Sequence, residues 1–501
     1  MRVVLRADAP PRGGIGHVVR AHALGQALVV AGHSVALATR IVPEVIGARL
    51  RQDGISIHPL AGDTEATDQT AQRAADELSI RALEPDWLVL DGYDLEVGDE
   101  SWSAVADRLL VIDDLGWPLA SSSAVVNGNL YASLATYPGV REATELLLGP
   151  GYAPLRLEFI SARGQSGAAT QSRGRIVITF GGSDPGNLTL RATQALMELD
   201  PRPELQVVVG VSHPDPASID AAAAASLSTV AVVRGPSSMA TILRDADLVV
   251  GGAGTSLLEC AALGVPVVAL MVADNQRPGA EAMERLGLGI NLGDGSAVDA
   301  RTLRKAVREL LDDPARLHEM SSRGRDMVDG GGAGRVVQYL ERPGLRLRPA
   351  TGADAELLFR WVNDPAVRAA SFHGDVIAWD AHHTWLTARL ADPNAWISIA
   401  ECGGTAVGTV RFAVEGRAAT ISVTVNPDHR SQGLGARMIA LASRLALGRP
   451  GIDRIEAWIK AENDQSRKAF ALAGYAREPG TRTTPGGVPA DLYMIGRTSG
   501  G

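Results

Sequence analysis

The chain opens Met1-Arg2-Val3-Val4-Leu5-Arg6-Ala7-Asp8-Ala9-Pro10-Pro11-Arg12-Gly13-Gly14-Ile15-Gly16-His17-Val18-Val19-Arg20. Met1 to Leu5 is a short apolar run that reads as a buried strand. From His17 to Ala31 the apolar residues Val18, Ala21, Leu24 and Leu28 recur at helical spacing. The glycine-dense turn between them lets a ligand approach the backbone and offers it the helix's unpaired N–H groups. It is not the G-x-G-x-x-G dinucleotide fingerprint, because His17 and Val18 follow Gly16 and no acidic ribose partner is evident. The turn adds an ionisable imidazole at its mouth; a loop histidine of no special role is the plainer reading of this segment taken alone.

Working outward, the alternation continues. Strands are predicted at Val3–Leu5, Ser34–Thr39, Ile55–His58, Trp87–Leu90, Leu109–Ile112 and Ala124–Val126, with helices over 17–31, 43–52, 68–82 and 101–107. Such βαβ alternation implies a parallel sheet covered by helices, so residues 1–160 form one Rossmann-like half. After the small-residue stretch 164–174 a second cycle begins. Its strands are Ile176–Phe180, Gln206–Val211, Val230–Val233, Leu248–Gly251 and Val267–Met271. Helices fill 187–198, 216–226, 239–245, 255–263, 279–286 and about 302–312, giving a second half over 175–340. Two such halves facing a cleft make the GT-B-like arrangement, with ligand beyond the strand ends. Past Pro343-Gly344 the pattern changes to strand, helix, helix and a meander (Trp396–Glu401, Val407–Val414, Thr420–Val425). A helix over 433–447, strand Arg454–Ile459 and helix Gln465–Ala473 follow, making a separate α+β domain over 345–497. The fold class expected is α/β throughout.

Composition limits the function. Hydrophobic content of 46% and charged content of 21% are ordinary for a globular chain of 501 residues, long enough for about three domains. The longest apolar run, Val265–Ala273, contains Pro266 and is far short of the ~20 residues a membrane span needs. No secretory h-region follows Met1. Cys260 and Cys402 make neither a disulfide framework nor a metal quartet, so a reducing cytoplasm is the expected compartment. Residues 344–501 carry 18 Lys and Arg against 15 Asp and Glu; the remainder carries 30 against 42. With no basic stripe, neither nucleic acid nor a membrane is an expected partner.

Several further segments share the strand-end position of the His17 turn. Asp86-Trp87-Leu88-Val89-Leu90-Asp91-Gly92-Tyr93 and Val111-Ile112-Asp113-Asp114 end strands with carboxylates. Gly181-Gly182-Ser183-Asp184-Pro185 follows a strand, and Gly251-Gly252-Ala253-Gly254-Thr255-Ser256 enters a helix carrying Glu259. Ala273-Asp274-Asn275-Gln276 follows the next strand. Each also has a structural use: aspartates cap helices and form turns, and glycines permit tight packing. Only together do they indicate one ligand. In this set the chain resembles the UDP-sugar hydrolases of the pseudaminic acid pathway. Their R-A-D-A-S-x-x-I-G-x-G-H pattern is met at Arg6, Ala7, Asp8, Ala9, Gly14, Gly16 and His17. Similar strings lie at 86–93, 111–114, 146–159, 181–185 and 273–276. Pro10, Gly13 and Gly92 depart from that family's Ser, Ile and His.

The resemblance implies hydrolysis of a UDP-2,4-diacetamido-2,4,6-trideoxy-hexose, with water attacking the anomeric carbon and His17 as base, since an imidazole titrates near neutrality. UDP-sugar contacts are implied at Asp8, Gly14, Gly16, Arg20, Gly182, Gly254, Thr255, Ser256, Glu259, Asn275 and Gln276. The N–H groups at 254–256 stabilise the leaving diphosphate without an obligatory metal, and Glu259 takes the ribose hydroxyls.

The last domain holds Arg430-Ser431-Gln432-Gly433-Leu434-Gly435-Ala436, an R-x-x-G-x-G turn after a strand, with Asn463, Ser466 and Phe470 beyond the next strand. This is similar to the GNAT acetyltransferase superfamily. The resemblance implies acetyl-CoA as cosubstrate, bound by Val425, Arg430, Gln432, Gly433, Leu434, Gly435, Ala436, Asn463, Ser466 and Phe470, with a backbone N–H near Val425 polarising the thioester. Phe470 stands where many members place a general-acid tyrosine, leaving Tyr475 or solvent. Glu456, His373, His382 and His383 are the candidate bases. The two units then serve consecutive steps: N-acetylation of a UDP-activated amino sugar, followed by release of UDP. The alternatives are a UDP-sugar-dependent glycosyltransferase and a degenerate CoA-binding module.

Overall fold

The computed structural model is described for all residues except 10–14, 62–68, 94, 96–101, 103, 117–121, 166–173, 183, 211–212, 227–228, 485 and 498–501. The chain forms two compact units. Unit one takes Met1–Asp114, Asn127–Ala132 and Gly149–Val337; unit two takes Leu115–Val126, Ser133–Leu148 and Gln338–Gly501.

The first cycle runs β1 (Arg2–Arg6), α1 (Gly16–Val30), β2 (Ser34–Thr39), α2 (Glu44–Gln52), β3 (Ser56–Pro59), α3 (Gln69–Arg81), β4 (Trp87–Asp91) and β5 (Leu109–Ile112). β6 (Ala124–Asn127), β7 (Glu145–Leu148) and α4 (Leu157–Gln165) follow. In unit one the order β3-β2-β1-β4-β5 is parallel throughout. Every residue of β4 and β5 is buried, which is why they read as unbroken apolar runs instead of alternating ones. The helix expected over 101–107 falls partly outside the described residues.

The second cycle comprises β8 (Arg175–Thr179), α5 (Leu188–Met197), β9 (Glu204–Val209), α6 (Pro216–Ala224), β10 (Val230–Arg234), α7 (Met239–Arg244) and β11 (Leu248–Gly251). It continues with α8 (Ser256–Leu263), β12 (Val267–Met271), α9 (Arg277–Arg285), β13 (Gly289–Asp294), α10 (Ala300–Leu311), α11 (Pro314–Met327) and α12 (Gly332–Glu341). Its sheet is parallel in the order β10-β9-β8-β11-β12-β13. Both sheets reverse strand order once, between β1 and β4 and between β8 and β11. A crevice opens beyond the carboxyl ends at such reversals.

Unit two adds β14 (Leu345–Pro349), α13 (Ala355–Val362), α14 (Pro365–Ala370), α15 (Trp379–Ala391), β15 (Ala395–Cys402), β16 (Thr405–Glu415) and β17 (Ala418–Val425). Then come α16 (Leu434–Leu447), β18 (Arg454–Ile459), α17 (Asp464–Leu472), β19 (Ala476–Arg477), β20 (Arg482–Thr483) and β21 (Pro489–Gly496). The sheet is mixed, β14-β15-β16-β17-β18-β21-β19, and β17–β18 is its parallel pair. The α/β class and the α+β tail are as the sequence predicts. Among the described residues no helix is long and apolar enough to cross a membrane.

Where β14 leaves the sheet, Arg348 donates to both oxygens of Asp354 at 2.9 and 2.7 Å, and the Thr351 amide adds a bond of 2.8 Å. The Arg348 bonds hold the Asp354 carboxyl at about 2, below its ordinary 3.8. A depressed carboxyl stabilises the fold fully above its unfolded pKa and loses that contribution as pH falls through its folded pKa. Acid melts from pH 6 to pH 2.5 are expected to show this contribution fading below about pH 4. Asp354→Asn should be less stable at pH 6 and lose less over that window; parallel curves for both proteins would exclude this role.

Candidate functional site

Four segments that the sequence singled out follow the strands at the two reversals. The His17 turn follows β1, Asp91–Tyr93 ends β4, Gly181–Pro185 follows β8, and Gly251–Ser256 follows β11. Unit one brings them together: a Cβ built on Gly16 would lie 3.9 Å from Thr255 Cγ2, and one on Gly182 would lie 3.8 Å from Ile15. The start of α1 therefore faces the start of α8. Gly14, with Pro10 to Gly13, lies outside the described residues.

His17 occupies the first turn of α1, and its Nδ1 sits 2.6 Å from Asp91 Oδ1. Arg20 Nη2, which only donates, lies 3.1 Å from the same nitrogen but has Asp91 Oδ1 nearer, at 2.6 Å. The carboxylate only accepts, so the shorter contact sets the roles, with the proton on Nδ1 and the lone pair on Nε2. Nε2 has no hydrogen-bond partner among the described residues, as a base awaiting a water requires. One helical turn on, Arg20 donates to Asp91 through Nε (3.0 Å) and Nη2 (2.6 Å), and to both oxygens of Asp114 (2.6 and 2.7 Å). Burial works against the Arg20 charge, but Asp91 and Asp114 hold it firmly protonated. Burial likewise raises Asp114, and Arg20 overcomes it, leaving that carboxyl below its ordinary range. Asn129 (2.6 Å) and the Tyr93 hydroxyl (3.0 Å) complete the shell of Asp114. The Tyr93 ring meets the imidazole edge-on at 4.6 Å, and its hydroxyl also bonds the Asn275 side chain from the second half. The imidazole is thus fixed in tautomer and direction by a buried charge network.

Across from it, Gly254, Thr255 and Ser256 lead into α8, whose unpaired N–H groups suit an anion. Gln276 secures this turn: its amide oxygen accepts from Ala253 N (3.1 Å) and Val272 N (3.0 Å), so it acts on the turn instead of reaching outward. Glu259 lies in the first turn of α8 and pairs with Arg156 at 3.0 Å; burial raises its pKa while Arg156 opposes the rise. Asp8 is spent elsewhere. It accepts from the Thr39 hydroxyl (3.0 Å) and the Arg40 amide (2.7 Å) and pairs with Arg6 (2.7 Å), which fixes the turn after β2.

In unit two, β17 and β18 pair at Ala418–Arg454, Ala419–Ile455 and Thr420–Glu456, and the ladder stops there. The strands diverge toward Val425 and Ile459, leaving a gap between them. The turn after β17 carries Ser431 and Gly433 in left-handed conformation (φ +59° and +71°), which turns N–H groups inward at the start of α16. The positive φ is what favours glycine at 433; a Cβ there would lie 2.6 Å from the Gln338 side-chain oxygen, the movable end of a flexible chain. Gly435 backs onto Val425 and Ala469, so turn, strand end and α17 meet. Leu434 and Ala436 are buried and offer the site only their backbone. Arg430 pairs with Asp364 at 2.6 Å, and Gln432 Nε2 donates to Asp428 O at 3.4 Å. Asn463 accepts from the Ser466 amide as the cap of α17. Phe470 packs in the core against Tyr475 (5.0 Å), whose hydroxyl bonds Ser443 at 2.7 Å inside that core. His382 is buried with Nε2 against the Ala355 carbonyl (3.1 Å), a packing role, and Glu456 is held by Arg454.

The sequence reading did not assign Asp91, Asp114, Asn129 or Arg156 to the site. Asp91 and Asp114 had a signal, as strand-end carboxylates facing a His-x-x-Arg pair on one helix face. Arg156 lies in the string 146–159 that carries the resemblance, though its partner is 103 positions away; Asn129 had no signal.

Two family models match parts of the chain: the Acetyltransferase (GNAT) domain over residues 344–476 and the Glycosyltransferase family 28 C-terminal domain over residues 176–329. An uncharacterized protein of Methanocaldococcus jannaschii is 22% identical over 409 residues, 78% of each chain. A spore coat polysaccharide biosynthesis protein of Bacillus subtilis is 27% identical over 229 residues, 45% of this chain and 66% of its own. The UDP-N-acetylglucosamine–N-acetylmuramyl-(pentapeptide) pyrophosphoryl-undecaprenol N-acetylglucosamine transferase of Geobacter sulfurreducens is 30% identical over 171 residues, 33% of this chain and 47% of its own. The last two are matched over less than two thirds of their length.

Proposed function

We propose that this chain, which joins a half like that of glycosyltransferase family 28 to a GNAT acetyltransferase domain, processes one nucleotide sugar twice. The GNAT domain moves an acetyl group from acetyl-CoA to the amine of a UDP-activated 4-amino sugar. The His17 unit then hydrolyses the resulting UDP-2,4-diacetamido-2,4,6-trideoxy-hexose to free sugar and UDP. The observation that carries this reading is the Asp91–His17 pair, which leaves Nε2 as a free base opposite the N-terminus of α8.

In the hydrolytic step a water held at Nε2 attacks the anomeric carbon. The bond from that carbon to the diphosphate oxygen breaks, its electron pair leaves with UDP, and the water's proton passes to Nε2. The Asp91 carboxylate stabilises the imidazolium so formed. The α8 amides take the charge developing on the diphosphate, and Glu259, held by Arg156, faces the ribose hydroxyls. In the acetyl step the amine attacks the thioester carbonyl between the parted strands β17 and β18. The nitrogen–carbon bond forms as the carbon–sulfur bond breaks; the nitrogen gives up one proton to solvent, and the thiolate takes one from solvent. The names of the Bacillus and Geobacter relatives, one in polysaccharide biosynthesis and one using a UDP-sugar, support a nucleotide-sugar substrate.

Incubation with the UDP-diacetamido sugar in ¹⁸O-labelled water is expected to release UDP over many turnovers with no other acceptor, and to place the label on the sugar. Release that requires an added sugar acceptor would establish the glycosyltransferase reading instead. Label on UDP would mean attack at phosphorus and would exclude the proposed step.

A further inference from the structure

Arg411 stands in the middle of β16, opposite Ile397 on β15 and Ser422 on β17. Paired residues of antiparallel strands project to one face, so Arg411 leaves the sheet on the side where Ile397 packs with α13 and α15. Its guanidinium lies 5.3 Å over the Trp385 ring. It is half-buried and forms no ion pair with a carboxylate among the described residues. The charged groups near enough to act on it are two further arginines, Arg368 and Arg389. Burial first, and then those like charges, pull its pKa below the ordinary arginine value. Arg389 has Asp392 at 3.1 Å. Arg368 spends its terminal nitrogens on the His373 and Asp375 carbonyls and the Ser371 hydroxyl, and its Nε is buried with no partner. Among the described residues three guanidinium groups thus share one carboxylate. Like charges gathered at a partly buried site are costly until an opposite charge joins them.

The cluster sits beside the parted strands. α14, which carries Arg368, is tied to both strand ends. Asp364 at its start accepts from Arg430, just past β17 (2.6 Å), and its Ala369 carbonyl accepts from Lys460, just past β18 (3.0 Å). Ser422, opposite Arg411, is three residues from Val425, about 10 Å along an extended strand. That is on the order of the span from a pyranose C4 substituent to a diphosphate on C1.

We propose that Arg411 and Arg368, flanked by Arg389, form an oxyanion subsite that binds the diphosphate of the acetyl acceptor. The inference rests on the reading of residues 345–497 as the acetyltransferase of a nucleotide amino sugar. The guanidinium fork matches two phosphate oxygens at once, and stacking on Trp385 holds Arg411 in position to use it. An amino sugar without the diphosphate would leave the cluster uncompensated, so the subsite selects the nucleotide-linked acceptor.

Calorimetric titration of the full chain saturated with coenzyme A is expected to find two UDP sites in the wild type and one in Arg411→Met. The site lost should be competed by inorganic pyrophosphate and not by uridine. Arg411→Lys keeps charge without the fork and should bind there about tenfold more weakly. In acetyl transfer, Arg411→Met should raise KM for the UDP-amino sugar about 10–100-fold with KM for acetyl-CoA unchanged. Transfer to the same amino sugar lacking the diphosphate should not respond to the substitution. Arg368→Met serves as the second variant, with circular dichroism reporting the fold of each. UDP stoichiometry unaltered in both folded variants overturns the subsite. Arginine-dependent UDP binding without acetylation of any amino sugar upholds the subsite and overturns the acetyltransferase reading.

Discussion

Replacing His17 with alanine is expected to lower kcat for UDP release by about 10²–10⁴-fold while KM changes by less than about threefold. The size follows from what is removed. A positioned general base acts in the transition state, so its loss appears in kcat, whereas the proposed reading assigns substrate binding to the α8 turn and Glu259. Asp91→Asn gives a sharper test. Asp91 Oδ1 accepts from both His17 Nδ1 and Arg20 Nη2, and Oδ2 accepts from Arg20 Nε. An amide cannot accept at both positions. Either its NH₂ group opposes Arg20, or it opposes His17 Nδ1 and drives the proton to Nε2, where the ring can no longer act as base. Loss of the carboxylate also removes the charge that stabilises imidazolium. A fall of at least about 10²-fold in kcat is expected with the fold intact. Steady-state UDP release with both variants checks this. If His17→Ala and Asp91→Asn turn over like the wild type, the base lies elsewhere and the hydrolytic assignment fails.

The second large effect concerns stability. Glu145 at the start of β7 accepts from Arg437 Nε (2.9 Å) and Nη2 (2.8 Å) and from the amides of Gly344 (3.2 Å) and Leu345 (3.0 Å). The Glu145 and Arg437 side chains are only 10% and 4% exposed. Removing one member of a buried pair leaves the other charge without compensation, so Glu145→Ala should destabilise unit two by about 3–5 kcal/mol. Replacing both members with apolar residues, Glu145→Leu with Arg437→Met, removes the stranded charge and should recover most of that loss. Chemical denaturation of the single and double variants measures the coupling. Additive losses would show that the pair is not a unit.

The sheets were legible because their central strands are uninterrupted apolar runs bounded by glycine and aspartate. β2, β5, β11, β12 and β18 fall on the residues predicted. β13 escaped because Gly289, Asn291 and Gly293 break its pattern at the sheet's edge, and β7 because four residues give no period to read. At the candidate site, the feature most legible in the sequence was the position of the strand-end turns that hold Gly16, Gly182, Gly254 and Gly433. Side-chain destinations were not readable. Asp8 and Asn275 sit in equally promising strings, yet one braces a neighbouring turn while the other reaches Tyr93. Arg411 has no motif at all. What distinguishes it is the lack of an ion-paired carboxylate among the described residues, which a linear sequence does not display.

Glu145 and Gly344, bonded in the folded protein, are 199 positions apart. At about 5–20 residues per second, the ribosome delivers the later partner on the order of 10–40 s after the earlier one. Through that interval Leu146 to Leu148 await a neighbour not yet synthesised. A fragment begun at residue 345, intended to isolate acetylation, would be born without the carboxylate that neutralises Arg437. Separating the two chemistries in the laboratory therefore calls for point substitutions in an intact polypeptide, not for scissors.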